Sequence, residues 1–366
     1  LYRSIKGMSV DATETIQYAG FSATAKTETV SDGKEIVAAA DSGGFIRKSK
    51  AHLSLGSGAS FNYGTQSGVG GIILENSSSI VGNVYSNGPI EGEGGNLIKG
   101  TVMSAGPSGR IEDIHATSSA YAHTIEDSTI DKDAYYQSIS DTTVLGVLHP
   151  GSPDQATTTL PISDAQIAQW KANAEAGGTI LSPCPYKITS ATTIGPQKIA
   201  CDLEISGTGY TVTLAGHLWV AGNATIKNSP TIKAASSLGG TSVALIADNP
   251  ANRATGSKIE SDNSAVFEGS GSPGSYVLLL SQNRSAEDGG SEFAIKLANN
   301  ARGALLAYAG HGEILLQNSV SLREVTAWRI RLKNSAEVIY ETGLANLIFT
   351  SGPSGGYVFD SWREVE

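Results

Sequence analysis

Ile314-Leu-Leu-Gln-Asn318-Ser319 and Ile330-Arg-Leu-Lys-Asn334-Ser335 spell one pattern twice: an apolar residue, three further residues, Asn, then a small residue. The same frame stands at Ala224-Thr-Ile-Lys-Asn228-Ser, Ile259-Glu-Ser-Asp-Asn263-Ser, Ile295-Lys-Leu-Ala-Asn299-Asn and, far upstream, Ile72-Ile-Leu-Glu-Asn76-Ser. From Asn228 to Asn334 the successive gaps are 35, 36, 19 and 16 residues. The two long gaps read as two coils each, with Val243–Ala247 and Tyr276–Leu280 as the intervening strands, so that the step is about 18 residues throughout. That step is too short for helical repeats and fits short strands joined by tight corners, as in a parallel β-helix. Asn suits such corners because, after Gly, it best tolerates left-handed backbone angles. Stacked Asn amides also hydrogen-bond from coil to coil. One Asn-Ser would mark only a loop; six in matching frames predict a ladder through Asn76, Asn228, Asn263, Asn299, Asn318 and Asn334.

A first block repeats less strictly. Gly82-Asn-Val-Tyr-Ser-Asn-Gly88-Pro89 aligns with Gly100-Thr-Val-Met-Ser-Ala-Gly106-Pro107 at an offset of 18, and Ala120-Tyr-Ala-His-Thr-Ile125 with Ala134-Tyr-Tyr-Gln-Ser-Ile139 at 14. Upstream, the alternating runs Gly20–Glu28, Lys34–Ala40 and Gly44–Leu55 flank turn residues and predict a three-stranded antiparallel meander. Leu1–Met8 reads as the end of a helix that begins before this sequence, and the absence of an initial Met as a processed terminus that has lost an export signal or anchor. Between the blocks, a Pro/Gly/Thr loop (Gly146–Leu160) precedes a predicted helix near 162–176. Ser163 is its expected N-cap with Gln166 completing a capping box, Ile167, Trp170 and Ala174 share one face, and Gly177 is the expected stop.

The expected fold is thus mostly β, a parallel β-helix or solenoid with a small N-terminal antiparallel region and one short inserted helix. Its parts are 1–65, the meander; 66–150, the first block; 151–178, the loop and helix; and 179–366, the second block. Right-handed coils are the expectation for parallel crossovers. Roughly 14 coils at about 4.8 Å each give a rod of ~70 Å. Cys184 and Cys201 are the two cysteines, 17 positions apart, which is about one coil, so a disulfide between adjacent coils is expected. Such a bond belongs to an oxidising compartment.

Composition narrows the function. The net charge is −10 and charged residues make up 16% of the chain, against 43 glycines. An acidic chain lacks the basic face that nucleic acid or an anionic membrane requires. No apolar run approaches a bilayer span. The densest acidic patch is Glu126, Asp127, Asp131, Asp133 and Asp141; at an offset of 14, Asp127 and Asp141 stack on adjacent coils and are the candidate metal ligands. No Arg stands near them in sequence, and a solvated polar face is the plainer reading. Histidines 115, 123, 149, 217 and 311 lack metal-ligand spacing, and no nucleophile elbow or phosphate loop is present. No cofactor is expected. Tyr121, Tyr135 and Tyr136 approach one another by the repeat register and are the candidate sugar-binding face.

The wording of the chain resembles a family of large pilin-like surface proteins of uncultured, small-genome bacteria. These begin with a type IV pilin-type hydrophobic helix and run through an LYR-x-K-G-M stretch into a β-rich, repetitive region. The matching residues include Leu1-Tyr-Arg-Ser-Ile-Lys-Gly-Met8, Phe61-Asn-Tyr-Gly64, Glu75-Asn-Ser77, Ala122-His-Thr-Ile125, Leu160-Pro-Ile-Ser-Asp164, Gln169-Trp-Lys171, Gly271-Ser-Pro-Gly-Ser275 and Ser361-Trp-Arg-Glu-Val-Glu366, and span nearly the whole chain. The resemblance implies export, anchoring by a helix that this sequence does not contain, and display at the cell surface. It implies other pilin-like subunits or surface glycans as partners and passes on no catalytic residue. The expected function is therefore a non-enzymatic structural or adhesive element of a cell-surface appendage. Two other classes share the architecture: a carbohydrate-active β-helix enzyme, betrayed by polysaccharide turnover, and a self-assembling bactofilin-like scaffold, betrayed by filaments.

Overall fold

The computed structural model describes residues 13–18, 21–30, 33–42, 45–55, 58–59, 61–341, 344, 347–348 and 357–365. It divides into two compact units. The first comprises Leu1–Ser60, Pro161–Gln169 and Ser351–Glu366, the second Phe61–Leu160 and Trp170–Thr350.

The first unit is built on a five-stranded antiparallel sheet, in the order Thr13–Tyr18, Phe21–Val30, Gly33–Ser42, Phe45–Leu55, Tyr357–Val365. The three expected runs are its centre, and each edge carries a further strand. Tyr357–Val365 was expected in the second block of coils; it pairs instead with Phe45–Leu55, Trp362 opposite Ala51. Nothing in the local pattern of a nine-residue strand distinguishes the edge of a meander from one wall of a coil, so pairing alone decides it. The expected helix end at Leu1–Met8 lies outside the described residues.

The second unit is a stack of coils, each contributing a strand to three columns. The third column is a 12-stranded parallel sheet, so the described residues form twelve coils rather than fourteen. At about 4.8 Å each, the stack measures roughly 58 Å. The correction falls on the gaps of 35 and 36. Ala224 pairs with Ile259 and Ile259 with Ile295, so each gap is a single coil. Val243–Ala247 and Val277–Ser281 are first-column strands of those same coils, and the surplus residues leave as loops between columns, such as 248–258 and 282–292. A loop adds little closure cost when the strands on either side keep their register.

The order of coils is not the order of the chain. Read along the stack, the third column runs Thr143–Val144, Thr129–Ile130, His115–Ala116, Leu97–Lys99, Ser79–Val81, and then Glu337–Ile339, descending to Thr192–Ile194. The chain therefore enters mid-stack, winds to one end, returns to the other, and winds back to the point of entry. At the seam Val325 pairs with Thr65, Ile330 with Ile72 and Val338 with Ile80, all parallel. The second column shows why the junction closes: Ile259, Ile295, Ile314, Ile330, Ile72, Ile90, Ile111 and Ile125 lie in register across it, each 0% exposed. β-Branched side chains suit such a wall, and each buried Ile contributes roughly 1.5–3 kcal/mol.

The return path is an extended strap down the flank of the first block. Gln137 Nε2 donates to Ser152 O (2.6 Å), His123 Nδ1 meets Asp154 Oδ1 (3.1 Å), and the Gly106 N–H donates to Gln155 O (2.9 Å). Tyr85 Oη donates to Ala156 O, Asn87 exchanges two bonds with Thr158 (2.7 and 3.0 Å), and Gln66 Nε2 reaches Thr159 O (3.1 Å). His123 and Gln137, equivalent by the repeat, thus both hold the strap.

A helix, Asp164–Ala176, follows. Ser163 Oγ accepts from the Gln166 N–H (3.3 Å), as the capping pattern requires, and Ile167, Trp170 and Ala174 are all buried. The stop is shared by two glycines. Gly178, not Gly177, takes the left-handed conformation (φ 114°). Gly177 is needed for close approach, since a Cβ there would stand 2.0 Å from Pro196 O.

Candidate functional site

One corner of the coil, between the second and third columns, carries a left-handed residue in ten of the twelve described coils. The residues there are Asn228 (φ 63°), Asn263 (64°), Asn299 (56°), Asn318 (57°), Asn334 (55°), Asn76 (50°), Gly94 (68°), Asp113 (53°), Asp127 (47°) and Asp141 (46°). The Asn frames and the two candidate metal-binding aspartates therefore belong to one column. Asn and Asp are the non-glycine residues that best tolerate this conformation, and that accounts for Asp127 and Asp141. Among the described residues no group of three or more His, Cys, Asp or Glu is placed to hold a metal ion.

Four of the six asparagines form a continuous amide chain. Asn318 Nδ2 donates to Asn299 Oδ1 (3.0 Å), Asn334 Nδ2 to Asn318 Oδ1 (2.9 Å), and Asn76 Nδ2 to Asn334 Oδ1 (3.1 Å). The last bond crosses the seam. Asn318→Ala is expected to cost about 2 kcal/mol, from left-handed strain and two lost amide bonds, whereas Asn318→Gly is expected to cost less than half of that because the backbone is relieved. Urea midpoints of the two variants check the ranking; an equal loss would place the cost in the amide bonds alone.

The tyrosine face is rearranged. Tyr121 and Tyr135 stack with centroids 4.4 Å apart, and His149 continues the column 4.2 Å from Tyr135, the planes within 5°. Tyr136 is absent from this face: it is buried, because successive strand residues point to opposite sides. In such a column the ring faces are spent on one another, and Tyr121 and Tyr135 present edges and hydroxyls. A sugar stacking on a ring face needs that face free. Burial, and then the neighbouring Tyr135, raise the Tyr121 phenol above its ordinary value. Burial pushes Tyr85, beneath the strap, up to about 12.

The acidic patch resolves into separate partnerships. Arg110 reaches Glu112 on its own strand (2.5 Å) and Glu126 (2.9 Å) and Glu91 (3.6 Å) on the coils to either side. Asp131 meets His115 (3.1 Å), and Asp133 accepts from the Val147 N–H (2.9 Å). Cys184 and Cys201 are joined in a disulfide, Cα atoms 5.9 Å apart, across the last two coils at the opposite end of the stack.

Two polar clusters had no signal in the sequence. Asp248, its side chain 0% exposed, binds Lys171 Nζ (2.5 Å) from the helix and both Arg253 Nε and Nη2 (2.8 and 2.9 Å). Its carbonyl accepts from Trp219 Nε1 (2.9 Å), and Lys198 lies 4.0 Å over the Trp219 ring. Trp170 packs 5.3 Å from His217, whose Nδ1 accepts from the Ala244 N–H (3.0 Å). The second cluster centres on Glu324, 0% exposed beside the seam: Oε1 accepts from Thr326 Oγ1, while Oε2 has no partner among the described residues. Burial raises this carboxyl well above the usual 4.5. Because the folded pKa exceeds the unfolded one, its contribution to stability is full below the unfolded value and is lost as pH rises through the folded value. Glu324→Gln is expected to flatten that decline, so thermal melts from mildly acidic to alkaline pH should converge on a single Tm shift. A wild type whose Tm is no lower at alkaline pH would count against it.

No family model matches the chain, and no curated protein matches it. Among solved structures, the competence-associated pilin ComZ from Thermus thermophilus is similar at 11% identity, over 97% of this chain and 88% of that one, with a TM-score of 0.42. Among the described residues no helix is long and apolar enough to cross a membrane.

Proposed function

We propose that this chain is a non-enzymatic structural element of a cell-surface appendage, exported and displayed outside the cytoplasm. The observation that carries the reading is the Cys184–Cys201 disulfide stapling the terminal coil, since such bonds persist in oxidising compartments. The chemistry of the stack supports it. Its polar columns are committed to holding coil on coil: the Asn chain, the Arg110 cluster, and Arg331 bridging Glu313 (3.0 Å) to Glu75 (2.8 Å) across the seam. The resemblance to pilin-like surface proteins points the same way. Antibody labelling of intact source cells tests it, with the disulfide read by thiol alkylation. Labelling that requires lysis, or free thiols at both positions, would overturn the proposal.

A further inference from the structure

The first block ends on strand edges set in an acidic surround. Ser138–Ser140, Thr143–Val144 and Leu148–Pro150 each pair on one side only among the described residues. Ile139 and Val144 are only partly buried above fully buried Ile125 and Ile130, and Leu148 is 52% exposed above buried Ala134. Leu145 (69%) and Val147 (58%) extend this apolar surface.

Charge is divided unevenly between the blocks. Over 110–150 seven carboxylates meet two cations, and one of these, Arg110, is committed to Glu112, Glu126 and Glu91. Over 179–340 thirteen cations balance twelve carboxylates. The left-handed corner repeats the division position by position. It is Asn in six coils, and Asp in the three nearest this end: Asp113, Asp127 and Asp141. The backbone does not require the carboxylate, since Asn holds the same conformation elsewhere and adds amide bonds from coil to coil. Carboxylates on successive coils, about 4.8 Å apart, repel one another instead. The far end differs. Ile180 is partly exposed there and Leu181 is 73% exposed, but Lys187 pairs with Glu204 (3.7 Å) and Lys198 with Glu175 (2.8 Å), so no field of one sign results.

We propose that the acidic end of the stack docks an extended, basic segment of another protein, one that alternates apolar residues with Lys or Arg. Laid along 138–144, such a segment adds a strand to the second and third columns, and its main-chain bonds supply affinity. Its side chains alternate between faces, so apolar ones cover Ile139 and Val144 while cationic ones stand outside, beside Asp141 and Asp127. A second copy of this chain offers no such charge: its own acidic end repels, and its far end is balanced.

The test is fluorescence anisotropy of a labelled peptide of alternating valine and lysine, titrated with the intact chain. Peptides of alternating valine and glutamate, and of alternating glycine and lysine, serve as controls. The expected result is saturable, salt-sensitive binding of the valine–lysine peptide alone, weakened at least tenfold in Asp127→Asn/Asp141→Asn. Because Asn occupies this corner in six other coils, that variant should keep the wild-type circular dichroism and a Tm no lower. No binding of the valine–lysine peptide, equal binding of the glycine–lysine peptide, or binding indifferent to the two asparagines would each overturn the proposal. So would dimers in sedimentation velocity that Leu145→Lys/Leu148→Lys abolishes, since a second copy would then cover this end.

Discussion

Asp248→Ala is expected to destabilise the coil stack by about 3–5 kcal/mol, the range for removing one partner of a buried ion pair. The loss is not that of one bond. Lys171 and Arg253 both converge on this carboxylate, and without it two cations face each other beside Trp219 with little water to screen them. Lys171 belongs to the helix, so the same change should loosen Trp170–Ala176 from its seat against His217. Urea denaturation followed by tryptophan fluorescence should show a lower midpoint with the slope unchanged. Hydrogen exchange should show faster exchange in 170–176 before the coils themselves open. A shift below about 1 kcal/mol would mean that the cluster is solvated and the helix held by Trp170 alone.

Removing the disulfide is expected to cost about 3 kcal/mol, the chain-entropy value for a closed loop of this size. Its position sharpens the expectation. Thr179–Ile180 and Tyr186–Ile188 have a neighbouring coil on one side only, so they lack half the pairing that interior strands enjoy. Cys184→Ser/Cys201→Ser should therefore fray this end first, with exchange protection lost over 179–188 and retained across the seam. Protection lost evenly along the stack would show instead that the staple governs the whole unit.

Much of this was legible in the residues. The Asn frames marked a real corner, the 17-residue spacing put the two cysteines on neighbouring coils, and Ser163 with Gln166 announced the helix start. The same reasoning miscarried where a local pattern has two physical readings. A gap of 35 residues is two bare coils or one coil with loops, and only pairing distinguishes them. Tyr135 and Tyr136 are adjacent in sequence and opposed in space, which strand alternation foretold. Asp127 and Asp141 do stack on adjacent coils as the offset of 14 implied, at a left-handed corner where carboxylates and amides are both tolerated. Asp248 and Glu324 carried no signal, since a buried charge is recognised by partners that only folding assembles.

The sequence by itself determined the unit of construction: strand, left-handed corner, strand, repeated with apolar residues turned inward, because backbone sterics and side-chain alternation act over a few residues. Tertiary structure alone decided the order in which the coils are stacked. Any coil with Ile in the same register can dock on any other, so local chemistry leaves the succession open. The strap through 152–160 and the helix seated by Lys171 on Asp248 choose it, carrying the chain from one end of the stack to the other, so that Ile72 comes to rest on Ile330.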